Sequence, residues 1–336
     1  MPAPTLHNLL ARVLGAPRAA RLLETVDVAP ALLRMEGLRV PRALAAQALN
    51  LLLFEDLVAR VPAAQAYVRE RVAQGGKVRH DHGALRTVAL AGMGALPPGA
   101  AAFARILVPL GYAQRDEYPL PRLKMTGRAW AQQDFPEDIA QFFVSELHPE
   151  KFSPAFQDAV ARVTADSRDP LTPAAREALR ALEVDGAIDL DDAALMLPVL
   201  ARCFERQHPL PAVSDYETLL AESPEMAWIS TEGNAFNHAT DRVEDVEALA
   251  REQKRLGRPM KDAVEVSRSG RVRQTAFRAA MVRRALRGAD GGTVEREVPG
   301  SFYEFITRDP LPGGGLDLSF DSGNAQGIFK MTEQMA

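Results

Sequence analysis

Apolar residues recur at helical spacing through the first 75 positions. Leu9, Leu10, Val13 and Leu14 form one stripe, and Leu51, Leu52, Phe54, Leu57 and Val58 form another. Residues 1–75 are therefore predicted as an N-terminal helical segment packed on the outside of the remaining chain. Gln74-Gly75-Gly76 breaks that pattern. Over 76–130 the pattern changes: KVRHDHGALRTVAL is predicted as a strand, and Pro97-Pro98 opens a helix over 99–110 that Gly111 closes. Residues 112–118 and 122–130 are further strands. Residues 131–222 return to helical spacing, with PEDIAQFFVSEL, SPAFQDAVARV and TPAAREALRAL each starting at a Pro or a Ser/Thr cap. This stretch is read as a helical insertion. Residues 223–336 repeat the first module in outline, with a strand over 227–243 and the helix DVEALAREQKRLG ended by Gly257. AVEVSRSG and RVRQTAFRAAMV come next as strands, and 294–309 is the last strand of the set. After the PGGG linker at 312–315, the tail is expected to add a short strand and a terminal helix.

The order defines an α+β chain of two βαβββ-type modules, 76–130 and 223–336, whose sheets curl into one cup. The N-terminal helical segment and the helical insertion complete it. Composition adds little. The 336 residues are 47% hydrophobic and 25% charged, ordinary values for a globular chain able to bury a core without staples. A net charge of −4 offers no attraction to nucleic acid or anionic membranes. Cys203 is the sole cysteine, which fits a reducing, cytoplasmic setting, and it reads as a small buried filler. The start MPAPTLHNLL lacks the features of a targeting segment, and no apolar run is long enough to cross a bilayer. Nothing in the pattern assigns an oligomeric state.

Candidate chemistry lies on the predicted strands. Strict alternation puts His80, His82, Ala84 and Arg86 on one face, with Asp81, Gly83 and Leu85 on the other. Two histidines and an arginine make a poor core stripe and suit a cavity wall. Asn234, Phe236, His238 and Thr240 share a face in the second module, and Phe302, Glu304 and Ile306 share one on the last strand. A glutamate between two apolar neighbours is buried, and buried Glu is rare unless paired or bound to metal. His82, His238 and Glu304 would form a facial site for a divalent metal, with His80 an alternative to His82. Two imidazoles and a carboxylate suit iron or catalytic zinc alike. Arg86 lies about 13 Å beyond His82 along the strand, so a guanidinium there can hold the far carboxylate of a short diacid chelated at the metal.

Blander readings stand beside this one. A strand histidine is more often a hydrogen-bonded structural residue than a ligand. His7, His148 and His208 have no matching partners and are read as surface residues. The Arg-rich stretch 268–287 lacks interleaved stacking aromatics and reads as a solvated strand face, not a nucleic-acid surface. PGGG lacks the lysine and helix context of a phosphate loop.

HGALRT at 82–87, FFVSEL at 142–147, GNAFNHAT at 233–240 and the GSFYEF strand ending near Arg308 resemble the 2-oxoadipate dioxygenase/decarboxylase family, also called 2-hydroxyglutarate synthases. The resemblance spans roughly 80–330. It implies a vicinal-oxygen-chelate-like fold and an Fe(II) centre held by His82, His238 and Glu304, which argues against His80. It also implies Arg86 as the substrate-carboxylate contact. The implied reaction takes 2-oxoadipate, or a close 2-oxo diacid, and O2 to 2-hydroxyglutarate and CO2. The chain looks shorter than many members in its C-terminal half, so the distal pocket is expected to differ. A Zn- or Ni-dependent glyoxalase-like isomerase or lyase is the rival enzyme reading, and a non-catalytic metabolite-binding protein is the third.

Overall fold

The computed structural model describes residues 4–321. Along them the strands run β1 (Arg39–Pro41), β2 (His80–Val88), β3 (Tyr112–Leu120), β4 (Met125–Gln132), β5 (Gln141–Leu147) and β6 (Ala187–Asp189). They continue as β7 (Phe236–Arg242), β8 (Glu265–Val266), β9 (Val272–Ala276), β10 (Met281–Arg287), β11 (Thr293–Pro299) and β12 (Phe302–Arg308). Eight form one mixed sheet in the order β3-β4-β5-β2-β7-β12-β9-β8, curled as a half-barrel in an α+β fold. The terminal helix expected in the tail lies outside the described residues.

Both halves of the sheet are built alike. In the first, β2 is followed by the helix Ala101–Leu107, then β3, β4 and β5; in the second, β7 is followed by the helix Val246–Arg255, then β8, β9 and β12. The β10–β11 hairpin is inserted before β12. Each half pairs its first strand in parallel with its last, β2 with β5 and β7 with β12. The halves join antiparallel through β2 and β7. The outer face of the sheet carries the larger core, where the N-terminal helices meet Leu85, Phe142, Phe236, Tyr303 and Phe305. The cup side is walled by Ala84, Val88, Phe143 and Leu147, and by Phe156, Tyr216 and Trp228 from the helices Pro154–Thr164, Val213–Glu222 and Pro224–Glu232.

Several sequence expectations are corrected. QFFVSEL, predicted as helix within an all-helical 131–222, is β5, the strand that completes the first module. Phe142 and Val144 face the outer core while Phe143 and Leu147 face the cup. A strand buried on both faces loses its apolar/polar alternation, and the short apolar run Phe142–Val144 is not distinguished from a buried helix by periodicity alone. The strand predicted over 227–243 begins only at Phe236. Before it runs the helix Pro224–Glu232, whose Ser223 Oγ accepts from the Met226 N–H at 3.2 Å. That helix is buried from Glu225 to Glu232 and so shows no amphipathic stripe. It stops at Gly233, where φ is 66° and a Cβ would lie 2.2 Å from the Arg206 Cα. The strands drawn over RVRQTAFRAAMV and over 294–309 are each broken in two, and the strand drawn over 122–130 starts only at Met125.

Strict alternation along β2 and β7 also fails. The β2–β7 register shifts between His80 and His82, and again between Ala84 and Leu85, where Ala84 faces His238 but Leu85 faces Phe236. Asp81 and Asn237 are the extra residues, and each bulge reverses which way the preceding side chain points. His80 consequently lies on the outer face, 5.1 Å from the Phe54 ring. Phe236 joins Phe142 and Phe204 in the outer core instead of sharing a face with His238. His208, read as a surface residue, is buried, with its ring nitrogens 2.9 and 3.2 Å from the carbonyls of Pro209 and Ile229.

On the outer face Asp241 is buried and accepts from Tyr67 Oη at 2.7 Å and from the Arg79 N–H at 2.9 Å. Burial pushes its pKa up to about 7 despite those bonds. The folded chain therefore binds this proton more tightly than the unfolded one. The stability it confers is complete below the ordinary carboxylate range and lost as pH rises through about 7. Asp241→Asn should flatten the stability curve between about pH 4 and 7 and exceed wild type at pH 8 by on the order of 2 kcal/mol. Chemical denaturation at pH 5 and pH 8 checks this, and parallel wild-type and variant curves would refute it.

Candidate metal centre

Three side chains predicted from the sequence meet on the cup side of the sheet. The ligand atoms of His82 on β2, His238 on β7 and Glu304 on β12 all lie within 4.8 Å of one another, and all three residues are buried. His82 Nε2 is 3.2 Å and His238 Nε2 3.5 Å from Glu304 Oε2. The parallel register sets this meeting, with Phe302 beside His238 and Glu304 beside Thr240. Phe302 stacks on the His238 ring at 4.8 Å, and Thr240 Oγ1 donates to Glu304 Oε2 at 2.7 Å. His80 is not part of the group, because the bulge at Asp81 turns it to the far side of the sheet.

Arg86 lies further along the same face of β2, fully buried, with its guanidinium carbon 5.0 Å from the centre of the Trp228 ring. Burial draws its pKa down to about 10, against the charge of Glu225, so it remains cationic at neutral pH. Asn234, predicted to share the strand face, lies before β7 and donates to the Arg86 carbonyl at 2.9 Å.

Strict alternation points Asp81 away from the site, but the bulge turns it inward, where its Oδ1 lies 2.8 Å from His82 Nδ1. Arg308 Nε and Nη2 donate to the same carboxylate at 2.9–3.1 Å. Phe320 packs edge-on against the His82 ring at 4.9 Å. Thr240, placed on the His238 face from the sequence, is at the site as expected; sequence reasoning misses Asp81, Arg308 and Phe320 as its neighbours. An Asp beside a His in a buried strand is the one signal that could have found any of them, since imidazole ligands are commonly oriented by a carboxylate at the other nitrogen.

The electrostatics suit a cation. Burial drives the His238 pKa down to about 3, which leaves a neutral imidazole. At His82 burial opposes protonation, but hydrogen bonds to Asp81 and Glu304 outweigh it and hold the pKa above the ordinary value. Burial likewise opposes the Glu304 carboxylate, yet the two histidines and Thr240 keep its pKa below the usual range. Glu304 Oε1 and His238 Nδ1 are buried with no hydrogen-bond partner among the described residues. An ionised carboxylate with an unsatisfied oxygen, facing two imidazoles, is a donor set that a divalent metal fits.

The curled sheet with a candidate metal group at its centre is the architecture of glyoxalase-superfamily and hydroxyglutarate synthase folds. A model of the 2-oxoadipate dioxygenase/decarboxylase family matches residues 29–314, and the chain belongs to that family. It is similar to a glyoxalase-superfamily protein from Ralstonia eutropha, with 58% identity, a TM-score of 0.91, and 94% of this chain and 98% of that one covered. It shares its fold with the hydroxyglutarate synthase of Oryza sativa solved in complex with 2-oxoadipate (21% identity, TM-score 0.65, 86% and 93% covered). The 2-oxoadipate dioxygenase/decarboxylase of Mycobacterium bovis is 28% identical over 222 residues, covering 62% of this chain and 52% of that protein. The chain thus spans about half the length of that relative. Among the described residues no helix is long and apolar enough to cross a membrane.

A metal taken up here replaces the proton that His82 holds between two carboxylates, so affinity should rise with pH, about tenfold per unit below the His82 pKa. Metal at a hundred times its Kd should stabilise the fold by about 2.7 kcal/mol. Melting curves with and without Co(II) check this; Glu304→Ala and His238→Ala should each abolish the shift, and an undiminished shift in both would refute the site.

Proposed function

We propose that the protein is an Fe(II)-dependent dioxygenase and decarboxylase acting on 2-oxoadipate or a close 2-oxo diacid, with 2-hydroxyglutarate and CO2 as products. The observation that carries this reading is the buried convergence of His82, His238 and Glu304 in a member of this family. Three protein ligands on one side leave the opposite side to substrate and oxygen. When bound, the iron supplies the redox chemistry, activation of dioxygen coupled to oxidative loss of the 2-oxo acid's carboxylate.

The chain's own residues do the rest. His82, His238 and Glu304 hold the metal. Arg86 pairs with the distal carboxylate, a charge-assisted contact strengthened by burial beside Trp228. Phe302 and Phe320 wall the ligands with apolar surface and limit water at the reacting end. The neutral His238 needs no deprotonation to ligate, whereas His82 releases its proton from Nε2 and keeps Nδ1 toward Asp81.

A second reading keeps the cup but uses Zn or Ni for an isomerase or lyase reaction. The 58% identical relative described as a glyoxalase-superfamily protein favours it. Oxygen uptake separates the two. The purified chain, loaded anaerobically with Fe(II), should consume oxygen and release CO2 with a 2-oxo diacid of five to seven carbons. No uptake with any of them defeats the dioxygenase, and turnover that persists without oxygen selects the rival. Arg86→Ala should raise KM by about ten- to a hundredfold while metal content stays constant, because what is lost is substrate binding. A parallel loss of iron would contradict that role.

A further inference from the structure

The Arg308 side chain, on the cup side of β12, is buried and shared between two partners. With Nε and Nη2 it holds the Asp81 carboxylate at 2.9–3.1 Å, and with Nη1 it donates to the backbone carbonyls of Asp317 and Ser319, both at 2.8 Å. A guanidinium is a flat, rigid fork, so fixing one edge on a carboxylate fixes the direction of the other edge as well. Here one edge grips the carboxylate that orients His82, and the other grips the segment 316–321. That segment crosses from one half of the sheet to the other. On the β12 side, Arg271 Nε donates to Asp317 Oδ2 at 2.9 Å and the Arg268 N–H donates to Asp321 Oδ2 at 3.0 Å. On the first module's side, the Phe320 N–H donates to Tyr118 Oη at 3.1 Å, and Gln141 Nε2 donates to the Leu318 carbonyl at 3.3 Å. The crossing sets Phe320 against His82, with the Arg308 guanidinium 5.2 Å from the centre of its ring.

We infer that Asp81 and Arg308 are positioning residues that tie metal loading at His82 to closure of the 316–321 segment over the site. The inference rests on the proposed metal centre and goes beyond it. A metal on Nε2 polarises the imidazole and makes Nδ1–H a stronger donor to Asp81. A firmer Asp81 holds the guanidinium plane in the one orientation from which Nη1 reaches both carbonyls. The coupling is reciprocal: whatever factor the metal adds to closure, closure adds to metal affinity. An ion pair that merely fastened the tail would hold it equally well with and without metal.

The test uses the full chain and Co(II) as the probe. Hydrogen exchange is followed at the amides of 316, 317, 319 and 320, which are bonded to Glu137, Asp309, Asp317 and Tyr118. Co(II) affinity is read from the visible absorption of the bound ion. In wild type, Co(II) should slow exchange in this segment by about fivefold or more. Asp81→Asn should weaken Co(II) binding by about ten- to a hundredfold. Arg308→Lys keeps a charge beside Asp81 but not the fork; it should retain Co(II) binding within about tenfold and lose the exchange response. Wild-type exchange that ignores Co(II) overturns the coupling without any variant having to fold. A full response in Arg308→Lys overturns it too, as does undiminished affinity in Asp81→Asn. Wild-type Co(II) affinity in His82→Ala would remove the metal centre itself, and the inference with it, an outcome distinguishable from the others.

Discussion

Two single-residue bulges in the β2–β7 ladder decide which side chains meet inside the cup. A strand's side chains alternate without exception until an extra residue is inserted, and then everything beyond it changes sides. With no bulge at Asp81, His80 and His82 would compete for one space, and the Asp81 carboxylate would be buried among the outer helices. With none at Asn237, the Phe236 ring would stand beside the His238 imidazole. Gly83 belongs to the same constraint. A Cβ on it would lie 2.0 Å from the Phe236 ring, so only a residue without a side chain lets Phe236 cross the outer face of β2. Phe236 is in turn wedged against Phe142 and Phe204. Aromatic packing outside the sheet thereby fixes the register that points two imidazoles inward.

The cup must also carry its charges in a place where water cannot screen them. Asp81 and Arg308 are buried together and neutralise one another, with the Asp81 carboxyl held far below its ordinary range despite burial, chiefly by the arginine's charge and then by His82. Such a pair adds little net stability, because desolvation of both ions offsets most of their attraction. Its effect is directional: it keeps His82 Nδ1 occupied and leaves Nε2 turned toward Glu304. Glu304 has no arginine or lysine among its hydrogen-bond partners in the described residues and leans on two imidazoles and a hydroxyl. The charge facing Glu304 therefore comes from the imidazoles alone, His82 holding the proton that a divalent cation would displace.

How much of this is legible in the sequence depends on the signal each residue leaves there. Glu304 between Phe302 and Ile306, and His82 and Arg86 spaced along one strand, are improbable as packing and legible as chemistry. The doubled strand–helix–strand order is visible because its turns carry Gly and Pro. Elements buried on every side are not: QFFVSEL and the helix Pro224–Glu232 present no polar face whose period could be counted. Bulges leave no trace in a hydrophobic pattern, so alternation alone assigns Asp81 to the wrong face and His80 to the site. Arg308 shows only as the end of a strand, because its two sets of partners lie 227 residues before it and 9 to 11 residues after it.

The two halves also explain why the candidate site gathers three potential protein ligands and not four. In the second half His238 lies beside Phe302 and Thr240 beside Glu304 across the parallel β7–β12 pair. In the first half His82 lies beside Gln141 and Ala84 beside Phe143 across the equivalent β2–β5 pair. Placing His82 on His238 puts Gln141 on Phe302 and Phe143 on Glu304. A symmetrical cup would offer a fourth ligand from position 143. This chain has a phenyl ring there, facing the cup and packed at 4.9 Å against Phe320 and at 5.7 Å against Tyr118. An aromatic wall would donate nothing to a metal and excludes water, so the first half contributes no ligand atom at the position that matches Glu304. With a carboxylate in both halves the cup would offer a closed four-ligand cage, suited to a structural ion; with Glu304 matched by Phe143 it offers the three-ligand set with an open side that the proposed chemistry requires.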